Sequence, residues 1–256
     1  MGDLKGHRVW EEPMVGQLFG EFYARTPAAN RRMADFVMGD PIRKGWTKSV
    51  RNFVLDGADY SQPGLGAEDY LIVKEPNGSV GAPILMEALP EARMILLIRD
   101  PRDVVASVLD AARGGGWLQD WRGRSKSRRE TSADRNPDRF VRRRARTYRH
   151  GVRNAMRAYK KHKGPKILVR YEDLLADTAK TMKSIYATLG IVVDDEELAR
   201  AVAKHSWESI PEEEKGSGKF YRKGTSGGWR EDLTPEQAAL VERITGPLLE
   251  GLYPPS

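Results

Sequence analysis

The sequence predicts an α/β fold: a three-layer arrangement with a mainly parallel sheet flanked by helices. Three observations carry this. Short apolar runs without alternation, Tyr70-Leu71-Ile72-Val73, Met94-Ile95-Leu96-Leu97-Ile98 and Ile167-Leu168-Val169, have the character of strands buried on both faces. Helical stretches alternate with them, as in a parallel α/β sheet. The Met94–Ile98 run then passes directly into a helix start, with Asp100 as N-cap, Pro101 at N1 and Asp103 at N3.

From Pro13 to about Asp59 the pattern is helical. Met14, Leu18 and Phe22, then Phe36 and Val37, are its apolar positions, with breaks at Thr26-Pro27 and Gly39-Asp40-Pro41. Tyr70–Val73 is a short strand leading into Lys74-Glu75-Pro76-Asn77-Gly78, and Pro83–Leu89 is a helix stopped at Pro90. After the Met94 strand and its capped helix, Gly114 to Asn136 has glycines and alternating charges but no apolar period. Residues 114–136 therefore read as a mobile basic loop. From Pro137, the residues Val141, Ala145, Tyr148, Val152, Ala155 and Tyr159 recur at steps of three and four. They form one narrow stripe of a long helix whose other faces carry arginine. A strand over Lys166–Arg170, helices over Ala179–Leu189 and Asp194–Lys204, and an irregular polar stretch Ser206–Leu233 follow. Thr234-Pro235-Glu236-Gln237 opens the last helix with an N-cap, a proline at N1 and a glutamine at N3.

At 256 residues and 39% hydrophobic content, residues 1–256 suit a single α/β domain. No window approaches the roughly 18 apolar residues of a membrane span, and the N-terminus has no signal-like apolar run, so a cytoplasmic location is expected. Zero cysteines exclude disulfides and thiolate metal sites, and His7, His150, His162 and His205 are too scattered for a ligand set. No bound metal is expected. The net charge of +7 is unevenly placed: Arg113 to Lys166 holds 19 Lys/Arg against 4 Asp/Glu, which leaves the remainder at −8. Segment 113–166 therefore suggests a contact with a polyanion.

Arg99 closes the Met94–Ile98 strand, and the carboxyl ends of strands are where open α/β sheets bind ligands. Ser107 comes eight residues later, two turns into the helix. A guanidinium and a hydroxyl beside a helix N-terminus suit a phosphate. The alternative is a capped helix with a surface arginine.

The stretch Arg99-Asp100-Pro101-Arg102-Asp103-Val104-Val105-Ala106-Ser107 resembles the 3′-phosphate-binding segment of sulfotransferases that use 3′-phosphoadenosine 5′-phosphosulfate (PAPS). Two further stretches are similar to that family, in its order. Ile167-Leu168-Val169-Arg170-Tyr171-Glu172-Asp173-Leu174 is similar to the strand ending in Tyr-Glu-Asp-Leu, and Arg222-Lys223-Gly224-Thr225-Ser226-Gly227-Gly228-Trp229 to the Arg-Lys-Gly…Gly-x-Trp loop. The resemblance implies a phosphate-loop-hydrolase-like fold and transfer of a sulfuryl group to an acceptor hydroxyl on a small molecule, carbohydrate or protein side chain. It also implies that Arg99, Ser107, Arg222, Lys223 and Gly224 hold the 3′-phosphate, with Tyr171 near the adenine. The product nucleotide would be 3′,5′-diphosphoadenosine (PAP).

One family element is missing. Sulfotransferases open with a strand, a Gly-x-x-(Arg/Lys)-Ser-Gly-Thr-Thr loop and a helix around the 5′-phosphosulfate, and no such segment occurs in these residues. The expectation is that the N-terminal strand–loop–helix is absent, whether through a misplaced start, a gene fragment or a degenerate homologue. Val9-Trp10-Glu11-Glu12-Pro13 then falls where glutamate-base, tyrosylprotein-like relatives carry the catalytic glutamate. Glu12 is the first candidate and Glu11 the second; both also suit a plain helix start. Lys74 resembles a lysine that stabilises the leaving sulfate oxygens, and Glu75-Pro76 replaces the His of small-molecule sulfotransferases.

Two other functions compete. One is a non-catalytic module that binds nucleotide or polyanion, with nucleic acid disfavoured because no helix-turn-helix or interleaved aromatics are present. The other is a small-molecule kinase of the phosphate-loop type, weakened by the same missing loop.

Overall fold

A computed structural model describes residues 1–26, 36–118 and 131–253. Its strands are β1 (His7–Glu11), β2 (Tyr70–Lys74), β3 (Met94–Ile98) and β4 (Lys166–Arg170). β1 and β2 pair in parallel from His7↔Tyr70 to Glu11↔Lys74, and β3 pairs with β4. The expected sheet is thus present as two two-stranded pairs. The chain divides into two compact units.

The first unit holds residues 1–96, 151–167 and 184–201. Its helices include α1 (Val15–Arg25), α2 (Arg43–Ser61) and α3 (Ala82–Ala88). Trp46, Val50, Ile84 and Ala88 form its core with Met38. The apolar stripe read from the sequence of α1 faces outward: Leu18 is 54% exposed and Phe22 49%. The opposite face is buried through Val15, Gly16 and Gly20. A Cβ on Gly20 would stand 2.4 Å from the Gly81 nitrogen, so α1 lies against backbone that only glycine admits.

The second unit holds residues 97–150, 168–183 and 202–256. α4 (Pro101–Ala112) starts as expected, with the Asp100 carboxylate accepting from the Arg102 N–H at 2.8 Å. Val105 and Leu109 of α4 pack with Phe140, Val141 and Ala145 of the long helix and with Trp229, Leu240 and Val241. Within the expected mobile loop 114–136, residues 119–130 lie outside the described ones. The described flanks are held: Trp117 N–H donates to the Gly218 carbonyl, and Thr131 and Asp134 form a capping box on α5 (Ser132–Arg135). The long helix α6 (Pro137–Lys161) buries Val141, Ala145 and Ala155 of its stripe and exposes Arg142, Arg146, Arg153 and Arg157. After β4 the chain enters α7 (Tyr171–Ala176) without a loop, a helix not expected from the sequence, followed by α8 (Thr178–Leu189). α9 (Asp195–Lys204), α10 (Trp229–Asp232) and α11 (Pro235–Leu249) complete the chain, the last with the expected Thr234/Gln237 capping box. Among the described residues no helix is long and apolar enough to cross a membrane.

Candidate active site

In the second unit the three segments singled out in the sequence are joined by specific contacts. The Arg99 guanidinium lies over the Tyr171 ring, 4.5 Å from its centre, and its Nε is buried without a hydrogen-bond partner. A buried cationic donor with nothing to donate to is suited to an anion. The Arg99 carbonyl accepts from the Tyr148 hydroxyl at 2.5 Å, and burial pushes that phenol's pKa up. Glu172 accepts from the Asp100 N–H at 2.8 Å with one oxygen and from the Tyr253 hydroxyl at 2.8 Å with the other. The segment after β4 is thereby tied to the one after β3.

Asp103 makes the second tie. It stands at N3 of α4, where the sequence reading placed it as part of the helix start, but its carboxylate is used elsewhere. It accepts from the N–H of Gly227 at 2.7 Å and of Trp229 at 3.0 Å. The Arg102 guanidinium covers the Trp229 ring at 4.3 Å and pairs with Asp100 at 2.6 Å. Ser107 is half-buried in α4.

Arg222 and Lys223 are ion-paired with acids of α10. Arg222 bonds Asp232, and Lys223 bonds Glu231 at 2.8 Å and Asp232 at 3.1 Å. Burial acts against it, yet the bonds from Arg222 and Lys223 hold the Asp232 carboxyl below its ordinary pKa. Gly224 has φ of 62°, and a Cβ there would meet the Trp207 indole at 2.4 Å.

In the first unit, the Lys74 ammonium pairs with Glu12 at 3.4 Å. The parallel register puts Glu11 opposite Lys74, and the next N–H, that of Glu12, donates to the Lys74 carbonyl at 2.8 Å. Glu12 (φ 47°) and Met14 (φ 63°) are the non-glycine residues with positive φ among the described ones. Such strain gathers at functional turns. Glu12 rather than Glu11 is the carboxylate brought to the lysine.

Glu75, read from the sequence only as a replaced histidine, closes this turn. Its two oxygens accept from the Gly16 N–H at 3.0 and 2.8 Å, fixing the start of α1 next to Glu12. Burial raises its pKa against the opposing effect of that N–H. The spacings Gly16/Gly20 and Gly78/Gly81 were the available signal for this close packing.

A family model described as "Sulfotransferase family" matches residues 8–195. A mouse sulfotransferase crystallised with PAP is 16% identical, with a TM-score of 0.51 over 98% of this chain and 85% of that one. This likeness shows the fold. Retinol dehydratase in complex with androsterone and inactive cofactor PAP is 18% identical, with a TM-score of 0.47 over 97% of this chain and 82% of that one. No curated protein matches the chain.

Proposed function

We propose, for a chain that belongs to the sulfotransferase family, that its sulfuryl donor is PAPS and its acceptor a hydroxyl group. The observation that carries the donor is the buried, partnerless Nε of Arg99 above Tyr171, at a strand end stitched to the glycine loop through Asp103. These residues fit a nucleotide 3′-phosphate. Arg99, Ser107, Arg222, Lys223 and Gly224 would hold it, and Tyr171 would lie by the adenine. A compact dianion needs several charge-assisted donors, and this set supplies them. PAPS, when bound, contributes an activated sulfuryl group.

The remaining chemistry belongs to Glu12 and Lys74. A carboxylate at Glu12 takes the proton of the acceptor hydroxyl, and the Lys74 ammonium offers positive charge where oxygens gain negative charge. Their ion pair holds the lysine beside the carboxylate. This is the glutamate-base branch of the family. The 5′-phosphosulfate loop has no counterpart in these residues. In this reading a phosphate loop of that kind would complete the donor site.

Calorimetric titration with PAP, ATP and an acidic polysaccharide separates the readings. PAP is expected to bind tightest and to be displaced by neither competitor. A preference for ATP would favour a kinase, and polysaccharide binding without PAP binding would favour a polyanion module.

A further inference from the structure

We infer that Asp103 is the positioning residue of the 3′-phosphate site, holding the glycine loop in its binding shape before any nucleotide arrives. This rests on the 3′-phosphate reading of Arg99 and the loop. Asp103 is 1% exposed, and the capping of α4 is already supplied by Asp100. Its two oxygens instead accept from the Gly227 and Trp229 N–H groups, more than a hundred residues later in the chain. Gly227 has φ of 81°, a conformation that leaves its N–H aimed at the carboxylate without strain.

The loop is thus braced at both ends. At one end Asp103 takes the two N–H groups and Arg102 covers Trp229. At the other, Asp232 holds Arg222 and Lys223. Gly224, Thr225 and Ser226 lie between these anchors. A loop fixed beforehand spares the ligand the ordering entropy of closing it.

The test compares wild type with Asp103→Asn, which keeps size and loses one acceptor. Both are titrated with PAP and with adenosine 5′-phosphate, following the amides of residues 224–229 by NMR. The expected result is a loss of about tenfold or more for PAP, a change within about twofold for adenosine 5′-phosphate, and faster hydrogen exchange at Gly227 and Trp229. A purely structural role would weaken both nucleotides together, and that outcome overturns the inference. Unchanged PAP affinity in Asp103→Asn overturns it too. If wild type does not prefer PAP to adenosine 5′-phosphate, the 3′-phosphate reading itself falls and takes this inference with it. Should Asp103→Asn fail to fold, Asp103→Ser, which keeps one acceptor oxygen, is read by the same PAP-to-monophosphate ratio.

Discussion

The Glu12–Lys74 pair is half-exposed, and such pairs add at most about 1 kcal/mol to folding. The left-handed conformations of Glu12 and Met14 cost about 1–3 kcal/mol each. The strain at this turn is held in place by the Glu75 bonds to the Gly16 N–H. In a chain supplied with a 5′-phosphosulfate loop, Glu12→Gln should lower sulfuryl transfer at least 10²-fold, a usual scale for lost acid–base catalysis, and leave PAP affinity within about twofold. Loss of transfer in Glu11→Gln with full activity in Glu12→Gln would move the base one residue back. Sequence left that choice open because Pro13 obscures the register; in the structure the carboxylate that pairs with Lys74 is that of Glu12. Asp232 allows a pH test. Its carboxyl is held below the ordinary value, so its stabilising effect is present above about pH 4, where the unfolded group is ionised, and is lost as pH falls through the lower folded value. Unfolding curves of wild type and Asp232→Asn should differ at pH 7 and converge below about pH 4. A difference that grows on acidification would contradict this sign.

At the scale of elements, local signals were legible and long-range ones were not. Asp100 and Thr234 are caps in sequence and in structure, and the Val141–Ala145–Ala155 stripe lies buried. The α7 helix was missed because no loop or cap separates it from β4. The apolar positions Leu18 and Phe22 of α1 are exposed, and its buried residues are Val15 and two glycines that meet backbone. Hydrophobic periodicity counts side chains and has no term for backbone approaching backbone. Gly20→Ala tests this packing. Alanine gains about 1 kcal/mol in helix propensity, but its Cβ meets the Gly81 backbone, and overpacking costs about 1–3 kcal/mol. A lower Tm is expected, and an unchanged or higher Tm would show that α1 does not need this approach.

At the scale of the whole molecule, the three segments proposed to bind the nucleotide were legible as short patterns, while the bonds that join them were not. Asp103 to Gly227 and Glu172 to Asp100 link positions far apart, and such pairings leave no periodic trace. Appending a strand, a Gly-x-x-Arg-Ser-Gly-Thr loop and a helix should raise PAPS turnover at least 10²-fold, since one oxyanion donor alone is worth about that much. Equal turnover with and without the extension would refute the need for the loop.

If Arg99 anchors a nucleotide 3′-phosphate, titration calorimetry of wild type and Arg99→Ala with PAP will show it as lost affinity. A lost hydrogen bond to a charged group is worth about 1.5–3 kcal/mol, so the variant should bind at least about tenfold more weakly. Equal affinity of the two proteins for PAP would contradict it.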